Sequence, residues 1–470
     1  MKKRNLFFSF ALLSVALFMI VSGLLISNNN EKTHFKGDVF INGTNVNGYT
    51  IEKANQVVAD KMATDLQDIN IKIVYQDKVW QFTQEDFDAS GAIKDVVNSA
   101  FNKNKIYNKN DYTKSVGSYE TQFASIFKNF NNKIDDIIDQ INIEPENAYV
   151  EFTPDNSKIF NVIEGKNGVE ADKEKLIADL TSQLFKTKDI LVYVNTKTLQ
   201  PEIKSDYFDN KLNLQSKFTT SIKDSQAGRR NNVTLALKKI NGKVIKPNEL
   251  VSFNALTGPQ DASSGYQDAI VILNGKFTNG MGGGICQASS TLYNALVLAN
   301  LDIEEVHKHT LPVRYVELSL DAMVSDGYAD LIFKNTSADD VYIKAYVNGD
   351  DATVEIYGNT IPEGVTIKRV AEFIGNIPHN GDKIIPDTNG EYRNKVLYKG
   401  EYFRVKYPCE GYEAKAFKEY YKGDKLVKRE QIRHEKYQPQ DGIIIEGTED
   451  LPEGFVLPEQ TVEFIKPEAE

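Results

Sequence analysis

The sequence predicts an α+β multidomain protein with an N-terminal transmembrane helix, two small α+β repeats, an α+β domain that carries the candidate chemistry, and a C-terminal all-β extension. Three observations predict it: an uncharged apolar run near the N-terminus, helical and strand periodicities that alternate twice through the first half, and short alternating strands with glycine-centred turns near the C-terminus. A length of 470 residues allows about three globular domains. The predicted boundaries are 1–29 for a cytoplasmic stub and transmembrane anchor, 34–209 for the repeats, 210–347 for the α+β domain, 348–448 for the β-rich domain and 449–470 for an acidic tail.

The N-terminal segment has the pattern of a membrane anchor. It carries no charge from Leu6 to Ile26, and Lys2, Lys3 and Arg4 precede it. At ~1.5 Å per residue, a helix of this length spans the hydrocarbon core of a bilayer, and the basic flank should stay in the cytoplasm. A cleavable signal peptide is the alternative, although the run is long and lacks a clear small-residue cleavage site. We expect a single-pass protein of the cell membrane whose C-terminal region is extracellular.

Composition narrows the function classes. A hydrophobic content of 41% and an aromatic content of 10% indicate a folded chain rather than a disordered one. The net charge of −11 argues against nucleic acid as a partner. Cys286 and Cys409 could form one disulfide in an exported chain, but a chain of this size buries a core without one, so we expect free thiols.

Residues 34–209 show the same order of elements twice. The first unit opens with the hairpin-like "DVFINGTNVNGYT", continues in a helix from Thr50 and ends in a strand pair. The second has the strands "YVEF" and "IFNVIEG", the helix "EADKEKLIADLTSQLF" and closing strands. No nucleophile, metal-ligand set or acid pair is clustered here, which favours a spacer or binding module. The apolar residues at helical spacing are Ala54, Val57, Val58 and Met62 in the first helix and Leu176, Leu180 and Leu184 in the second.

The stretch 280–295, "GMGGGICQASSTLYNA", carries the strongest chemical signal. Its glycines permit positive φ angles, and the apolar spacing that follows predicts a helix starting near Cys286. A thiol in the first turn of a helix is favoured as thiolate, and the free N–H groups there can stabilise an oxyanion. Gly284 belongs to this backbone site, and Gln287 and Ser289 can add side-chain donors.

A cysteine nucleophile needs a base, and the nearest candidates lie in "EEVHKHTLPVRYV". His307 and His309 have i, i+2 spacing, which places both side chains on one face of an extended segment. A strand returning after the helix would bring one of them to the helix N-terminus. Asp321 or Asp326 can orient the imidazole ring.

Three other interpretations remain open. A glycine-rich turn before a cysteine is often purely structural. Cys286, His307 and His309 would also form a three-ligand zinc site with an open position, but no Cys-x-x-Cys or His-Glu-x-x-His accompanies them, so we expect no metal and no cofactor. Ser289 or Ser290 as nucleophile is the weaker alternative, because a neighbouring thiol ionises far more readily.

Residues 213–347 resemble the VanW-like domain. The resemblance is carried, in the order typical of that family, by "GGGICQASSTLYNA", "HKHTLPVRYV" and "YADLIFKNTS". The upstream stretch, with "PENAYVEF", "FNVIEGKNGVEAD" and "LQPEI", is similar to the peptidoglycan-binding module that precedes VanW domains and also precedes a cysteine L,D-transpeptidase domain. These resemblances imply a cell-wall protein whose partners are peptidoglycan tetrapeptide stems and glycan strands.

The resemblance implies acyl transfer on stem peptides. The expected activity is that of an L,D-transpeptidase forming 3→3 cross-links through a thioester on Cys286, with His309 or His307 as general base. Arg314 is expected to hold a stem carboxylate, and Tyr293 to pack beside the site. A cysteine peptidoglycan endopeptidase or carboxypeptidase, and a non-catalytic peptidoglycan-binding scaffold, are the alternatives.

Overall fold

The structure is a computed structural model, and it describes residues 33–104, 117–184, 186–273, 276–457 and 462–466. It divides into two compact units. The first comprises Met1–Ala148 and Glu164–Ile203, and the second comprises Tyr149–Ile163 and Lys204–Glu470. The predicted transmembrane segment, residues 6–26, lies outside the described residues. Within the described ranges, no helix combines the length and the apolar character needed to cross a membrane.

Helices form where the sequence combines apolar spacing with a suitable first residue. Thr50, for example, caps the first helix by accepting a hydrogen bond from the backbone N–H of Lys53 at 3.2 Å. The helices are α1 (Ile51–Leu66), α2 (Ser90–Asn104), α3 (Phe123–Ile126), α4 (Phe130–Ile141), α5 (Lys173–Gln183), α6 (Ala227–Ile240), α7 (Phe253–Thr257) and α8 (Ile285–Leu298).

The strands form several small sheets rather than one large one. In chain order they are β1 (Val39–Ile41), β2 (Thr44–Asn45), β3 (Asn70–Tyr75), β4 (Lys78–Thr83), β5 (Gly117–Tyr119), β6 (Tyr149–Phe152), β7 (Phe160–Ile163), β8 (Gly168–Ala171), β9 (Asp189–Tyr193), β10 (Thr196–Leu199), β11 (Asn213–Ser221), β12 (Val244–Ile245), β13 (Leu250–Ser252), β14 (Asp268–Leu273), β15 (Lys276–Met281), β16 (Asp302–Glu305), β17 (Ile332–Lys334), β18 (Val341–Asn348), β19 (Asp351–Gly358), β20 (Val365–Ile377), β21 (Asp382–Pro386), β22 (Tyr402–Lys406), β23 (Gly411–Lys422), β24 (Lys425–Tyr437) and β25 (Gly442–Glu446).

The first unit is built around the sheet β4-β3-β9. Strand β3 pairs antiparallel with β4 and parallel with β9. The alternating inward residues of β3 and β9, among them Ile71, Ile73 and Ile190, are buried in one apolar core with helices α1 to α5. Strand β3 belongs to the first predicted repeat and β9 to the second. The two predicted repeats therefore share one sheet instead of forming separate sheets.

The hairpin β6-β7 belongs to the second unit, although sequence analysis includes it in 34–209. Its two phenylalanines explain this placement. Phe152 and Phe160 stack on each other with ring centroids 5.1 Å apart, and both lie edge-on against Tyr342 of β18. Aromatic pairs of this geometry stabilise beyond their buried area, so the hairpin packs with the second unit.

Helix α8 runs through the core of the second unit, against the antiparallel sheet β11-β19-β18-β12. From Gln287 to Val297 all its side chains are buried, including a row of polar ones. These polar side chains find partners: the hydroxyl of Thr291 lies 2.8 Å from that of Thr220 on β11, and the amide of Asn294 donates to the carbonyl of Leu320 at 2.8 Å. The polar side chains of α8 therefore form hydrogen bonds inside the core, some to β11 and others to the segment at Leu320.

The C-terminal residues form two three-stranded sheets, β20-β23-β24 and β21-β25-β22. The first joins the core around α8 through residues such as Ala416, and it brings β24 next to the segment after His309. The predicted tail is in part attached: the backbone N–H of Asp382 donates to the carbonyl of Ile465 at 2.9 Å, and Phe464 packs edge-on against Tyr402. Residues 462–466 are therefore packed on the second sheet rather than frayed.

Candidate active site

A turn of three glycines leads into α8 and positions Cys286. Gly282 and Gly284 have φ angles of +79° and +110°, a region that favours glycine. A Cβ on Gly283 would lie 2.6 Å from the backbone oxygen of Ile270, so this position is also restricted to glycine. Helix α8 begins directly after Gly284, which places Cys286 in its first turn, at the positive end of the helix dipole.

The thiol of Cys286 is half-buried and contacts the segments that face the start of α8. Its Sγ lies 3.3 Å from the carbonyl oxygen of Val324, and the imidazole of His309 is near enough to lower the pKa of the thiol. Burial acts to raise the pKa of the thiol, but the hydrogen bond and charge of His309, with a contribution from Arg229, outweigh burial and lower the pKa below its ordinary value. The thiolate, which is the nucleophilic form of cysteine, is therefore favoured.

His309 is buried, with 7% of its surface exposed, and is fixed by one carboxylate. Asp321 Oδ2 lies 2.7 Å from the ring Nδ1 and accepts the backbone N–H of His309 at the same distance. Burial acts to lower the pKa of the imidazolium, but the hydrogen bonds to Asp321 and Cys286 outweigh it and raise the pKa to about 9. With Nδ1 held by Asp321, Nε2 is the nitrogen left to exchange a proton with the thiol, as a general base requires.

Asp321 is itself held by the C-terminal sheet. Its Oδ1 accepts a hydrogen bond of 2.6 Å from the hydroxyl of Tyr437, and its backbone carbonyl accepts one from Arg433, both on β24. Burial acts to raise the pKa of this carboxyl, but the hydrogen bond to His309 and the nearby positive charges outweigh it and lower the pKa. The carboxylate is thus ionised and fixed on both oxygens, which orients His309.

The backbone at the start of α8 offers an oxyanion donor. The N–H of Ile285 bonds to the carbonyl of Gly282 at 3.1 Å, and that of Gln287 bonds to Gly284 at 2.8 Å. Between them, the N–H of Cys286 meets no acceptor among the residues that the structure describes. A free N–H on the nucleophile itself, at a helix N-terminus, is a suitable donor to the oxyanion of a tetrahedral intermediate.

The two histidines predicted as alternative bases lie in different surroundings. The Nε2 of His307 is 2.8 Å from Glu305 Oε1, and this ring is partly exposed. His309 is therefore the base candidate, and the zinc set of Cys286, His307 and His309 does not form. Within the described ranges, no group of three or more His, Cys, Asp or Glu side chains could hold a metal ion.

Two of the predicted oxyanion side chains are occupied inside the protein. Gln287 accepts from Arg229 at 2.6 Å, and its Nε2 donates to the carbonyl of Ser221 at 2.9 Å. The hydroxyl of Ser289 donates to the carbonyls of Cys286 and Ala322. In this conformation both side chains brace the start of α8, and the oxyanion role of Gln287 and Ser289 stays a prediction.

The remaining candidates also take structural or peripheral positions. Arg314 is exposed, and Tyr293 is a core residue with 1% of its surface exposed. Asp326 accepts the backbone N–H of Gln260 at 2.9 Å, so the orienting carboxylate beside His309 is Asp321. Cys409 is an exposed free thiol.

Sequence reasoning missed several residues that complete the site. Arg229 lies at the start of α6, its guanidinium carbon 5.8 Å from the ring centre of Tyr315. The hydroxyl of Tyr315 is 3.5 Å from His309 Nε2, and burial raises the pKa of this hydroxyl well above its ordinary value, so it remains a neutral donor. Only the tertiary fold brings Arg229 and Tyr437 to Cys286 and His309, so no local pattern pointed to them.

Two family models match separate parts of the chain. The family model described as "VanW like protein" matches residues 228–357, and the one described as "Putative peptidoglycan binding domain" matches residues 80–191. The former range contains Cys286, His309 and Asp321, whereas Tyr437 lies beyond it.

Two curated relatives are homologous to this chain. "Uncharacterized protein YoaR" of Bacillus subtilis is 29% identical over 202 residues, which cover 43% of this chain and 67% of that protein. "Vancomycin B-type resistance protein VanW" of Enterococcus faecalis is 30% identical over 141 residues, which cover 28% of this chain and 50% of that protein. The chain therefore contains a VanW-like domain and a peptidoglycan-binding domain, which relate it to the cell wall.

Two solved structures also align with short parts of the chain. The IgA1 protease G5 domain covers 19% of it at 13% identity and a TM-score of 0.14. HP0197-G5 covers 18% at 12% identity and a TM-score of 0.11. Scores this low support no conclusion about fold or function.

Proposed function

We propose that this chain is a cysteine acyltransferase of the cell wall, an L,D-transpeptidase that forms 3→3 cross-links between peptidoglycan stem peptides. One observation carries the proposal. A thiol in the first turn of a helix has its pKa lowered by a buried histidine that a buried aspartate orients. This is the arrangement that acyl transfer through a thioester requires.

In the first half-reaction, the Cys286 thiolate attacks the carbonyl that joins an L-centre to the terminal D-residue of a donor tetrapeptide. The negative charge moves to the carbonyl oxygen, which accepts the free N–H of Cys286. His309 then gives its Nε2 proton to the departing amine of the D-residue, the C–N bond breaks, and a thioester remains on Sγ.

In the second half-reaction, the side-chain amine of an acceptor stem attacks the thioester carbonyl. His309 takes a proton from this amine, a new amide bond forms, and Cys286 leaves as thiolate. The thiolate and imidazolium pair is restored, so no oxidant, reductant or cofactor is consumed. Water in place of the amine would turn the same thioester into a peptidase product.

The rest of the chain supports this reaction at the cell surface. The peptidoglycan-binding domain, residues 80–191, would hold glycan or stem peptide. The apolar segment 6–26 would anchor the chain in the cell membrane with its C-terminal region outside. The enzyme would then work on the wall within reach of the membrane.

Product analysis tests the proposal. The full-length chain in detergent is incubated with purified disaccharide-tetrapeptide, and the products are identified by mass spectrometry, with Cys286→Ala and Cys409→Ser as matched thiol variants. We expect cross-linked dimers from the wild type and Cys409→Ser but not from Cys286→Ala. Tripeptide monomers without dimers would select the peptidase, and unchanged substrate would favour the scaffold.

A further inference from the structure

Arg229 is held beside Cys286 by two successive hydrogen bonds. Its Nη2 donates to Gln287 Oε1 at 2.6 Å, and Gln287 is fixed in turn by donating to the carbonyl of Ser221. The side chain of Arg229 crosses Gly284 so closely that a Cβ there would lie 3.0 Å from its Cγ. The guanidinium therefore has one preferred position over the turn that precedes Cys286.

Arg229 has no carboxylate partner within ion-pair distance among the described residues, and Gln287 is its hydrogen-bond acceptor. The neighbouring Arg230 differs: it donates to Asp350 and to the carbonyls of Gly349 and Ile222. Arg229 thus keeps donors available at a half-buried site, whereas those of Arg230 are used in the fold.

The guanidinium of Arg229 lies close to the reacting groups. The guanidinium carbon is 5.8 Å from the ring centre of Tyr315, whose hydroxyl is 3.5 Å from His309 Nε2. Its charge also contributes, after the larger effects of burial and His309, to the pKa of Cys286. A planar cation with free donors is well suited to hold a carboxylate by two parallel hydrogen bonds.

We propose that Arg229 binds the free C-terminal carboxylate of the acyl donor, so that the site takes peptides whose scissile bond precedes the terminal residue. This assignment rests on the proposed function and sharpens it. The carboxylate of the leaving D-residue would sit on Arg229 while the preceding carbonyl reaches Cys286. Peptides without a free carboxylate one residue beyond the scissile bond would be poor donors.

A first experiment needs no peptide substrate. Cys286 is alkylated with iodoacetate or with neutral iodoacetamide in a Cys409→Ser background, and the ratio of the two rates is measured. The ratio cancels any change in thiolate fraction. Because iodoacetate presents a carboxylate to Arg229, we expect Arg229→Gln to lower the ratio about tenfold, Arg229→Lys to lower it less, and the matched variant Arg230→Gln to leave it unchanged. An unchanged ratio in a folded Arg229→Gln variant overturns the anion site.

A second experiment uses donor peptides that differ only in a free carboxylate or a C-terminal amide. We expect Arg229→Gln to raise KM roughly tenfold for the acid and to leave that for the amide nearly unchanged. Equal losses on both peptides would mean that Arg229 acts only on the thiol, and would overturn the assignment. If neither peptide is turned over by the wild type, the proposed function fails, while the alkylation ratio still decides whether Arg229 binds a carboxylate.

Discussion

Replacing Asp321 with asparagine tests whether this carboxylate stabilises the Cys286 thiolate and the His309 imidazolium. Asp321 Oδ2 accepts from both His309 Nδ1 and the His309 backbone at 2.7 Å, and Oδ1 accepts from Tyr437. Asparagine keeps the shape but removes the negative charge and one acceptor. Its carbonyl oxygen can still accept both N–H groups of His309, and its NH₂ group would face the Tyr437 hydroxyl, so the main loss is the negative charge that stabilises the imidazolium.

The size of the effect follows from the pKa of His309. A rise from the ordinary 6.5 to about 9 corresponds to roughly 3 kcal/mol in favour of the imidazolium, to which Asp321 and Cys286 both contribute. If Asp321 supplies about half, its loss weakens the thiolate and imidazolium pair by ~1.5 kcal/mol, or about tenfold. The pKa of His309 should fall, and the pKa of Cys286 should rise toward the ordinary thiol value of about 8.5.

The assay is the pH dependence of Cys286 alkylation by iodoacetamide in the Cys409→Ser background. In the wild type the thiolate forms as the pH rises through the lowered pKa of Cys286, and the imidazolium persists up to about pH 9. For Asp321→Asn we expect roughly tenfold slower alkylation at pH values below the wild-type pKa of Cys286 and equal rates near pH 10, where both thiols are ionised. Circular dichroism controls for folding. Superimposable pH profiles for the two proteins would refute the reasoning.

Two further predictions concern the supports of the site. Tyr437→Phe removes the hydroxyl bonded to Asp321. The midpoint of the alkylation profile should therefore shift to higher pH, as for Asp321→Asn, but by less. A larger shift, or none, would show that the C-terminal sheet does not hold the carboxylate in this way. Gly284→Ala places a Cβ 3.0 Å from Arg229 at a φ of +110°, and should lower the free energy of unfolding in urea by about 2–4 kcal/mol. Gly364→Ala is the matched control, since Gly364 also has a positive φ, +72°, but open space around it, and should cost only about 1 kcal/mol; equal losses would contradict the steric argument.

Local sequence patterns were sufficient to locate the helix start at which Cys286, the candidate nucleophile, lies. The glycine run and the apolar spacing after it describe a turn and a helix start, and both depend on neighbouring residues only, so Cys286 could be placed in the first turn of α8. The pair of histidines was equally visible, but the choice between them was not. It depends on Asp321 and Glu305, which separate the two rings in the folded chain.

Residues that reach the site from distant elements could not be found in this way. Tyr437 lies 116 residues after Asp321, and Arg229 lies 58 residues before Gln287. Gln287 and Ser289 show a further limit of local patterns: polar side chains next to a cysteine suggest substrate contacts, yet in the fold they brace a buried helix. The hairpin β6-β7 was included in 34–209 because its strands follow the order of elements predicted for the second repeat. The edge-on packing of Phe152 and Phe160 against Tyr342 decides which unit it joins.

The most direct test of the account is the mass of the protein itself during reaction. The full-length Cys409→Ser chain is mixed with disaccharide-tetrapeptide, quenched in acid within the first turnover and measured by intact-protein mass spectrometry, followed by peptide mapping. We predict an adduct on Cys286 equal in mass to the donor less its terminal D-residue, which is removed by hydroxylamine as a thioester should be. Product formation without any adduct on Cys286, or an unchanged rate of product formation in Cys286→Ala, would contradict the claim that this thiol is the nucleophile.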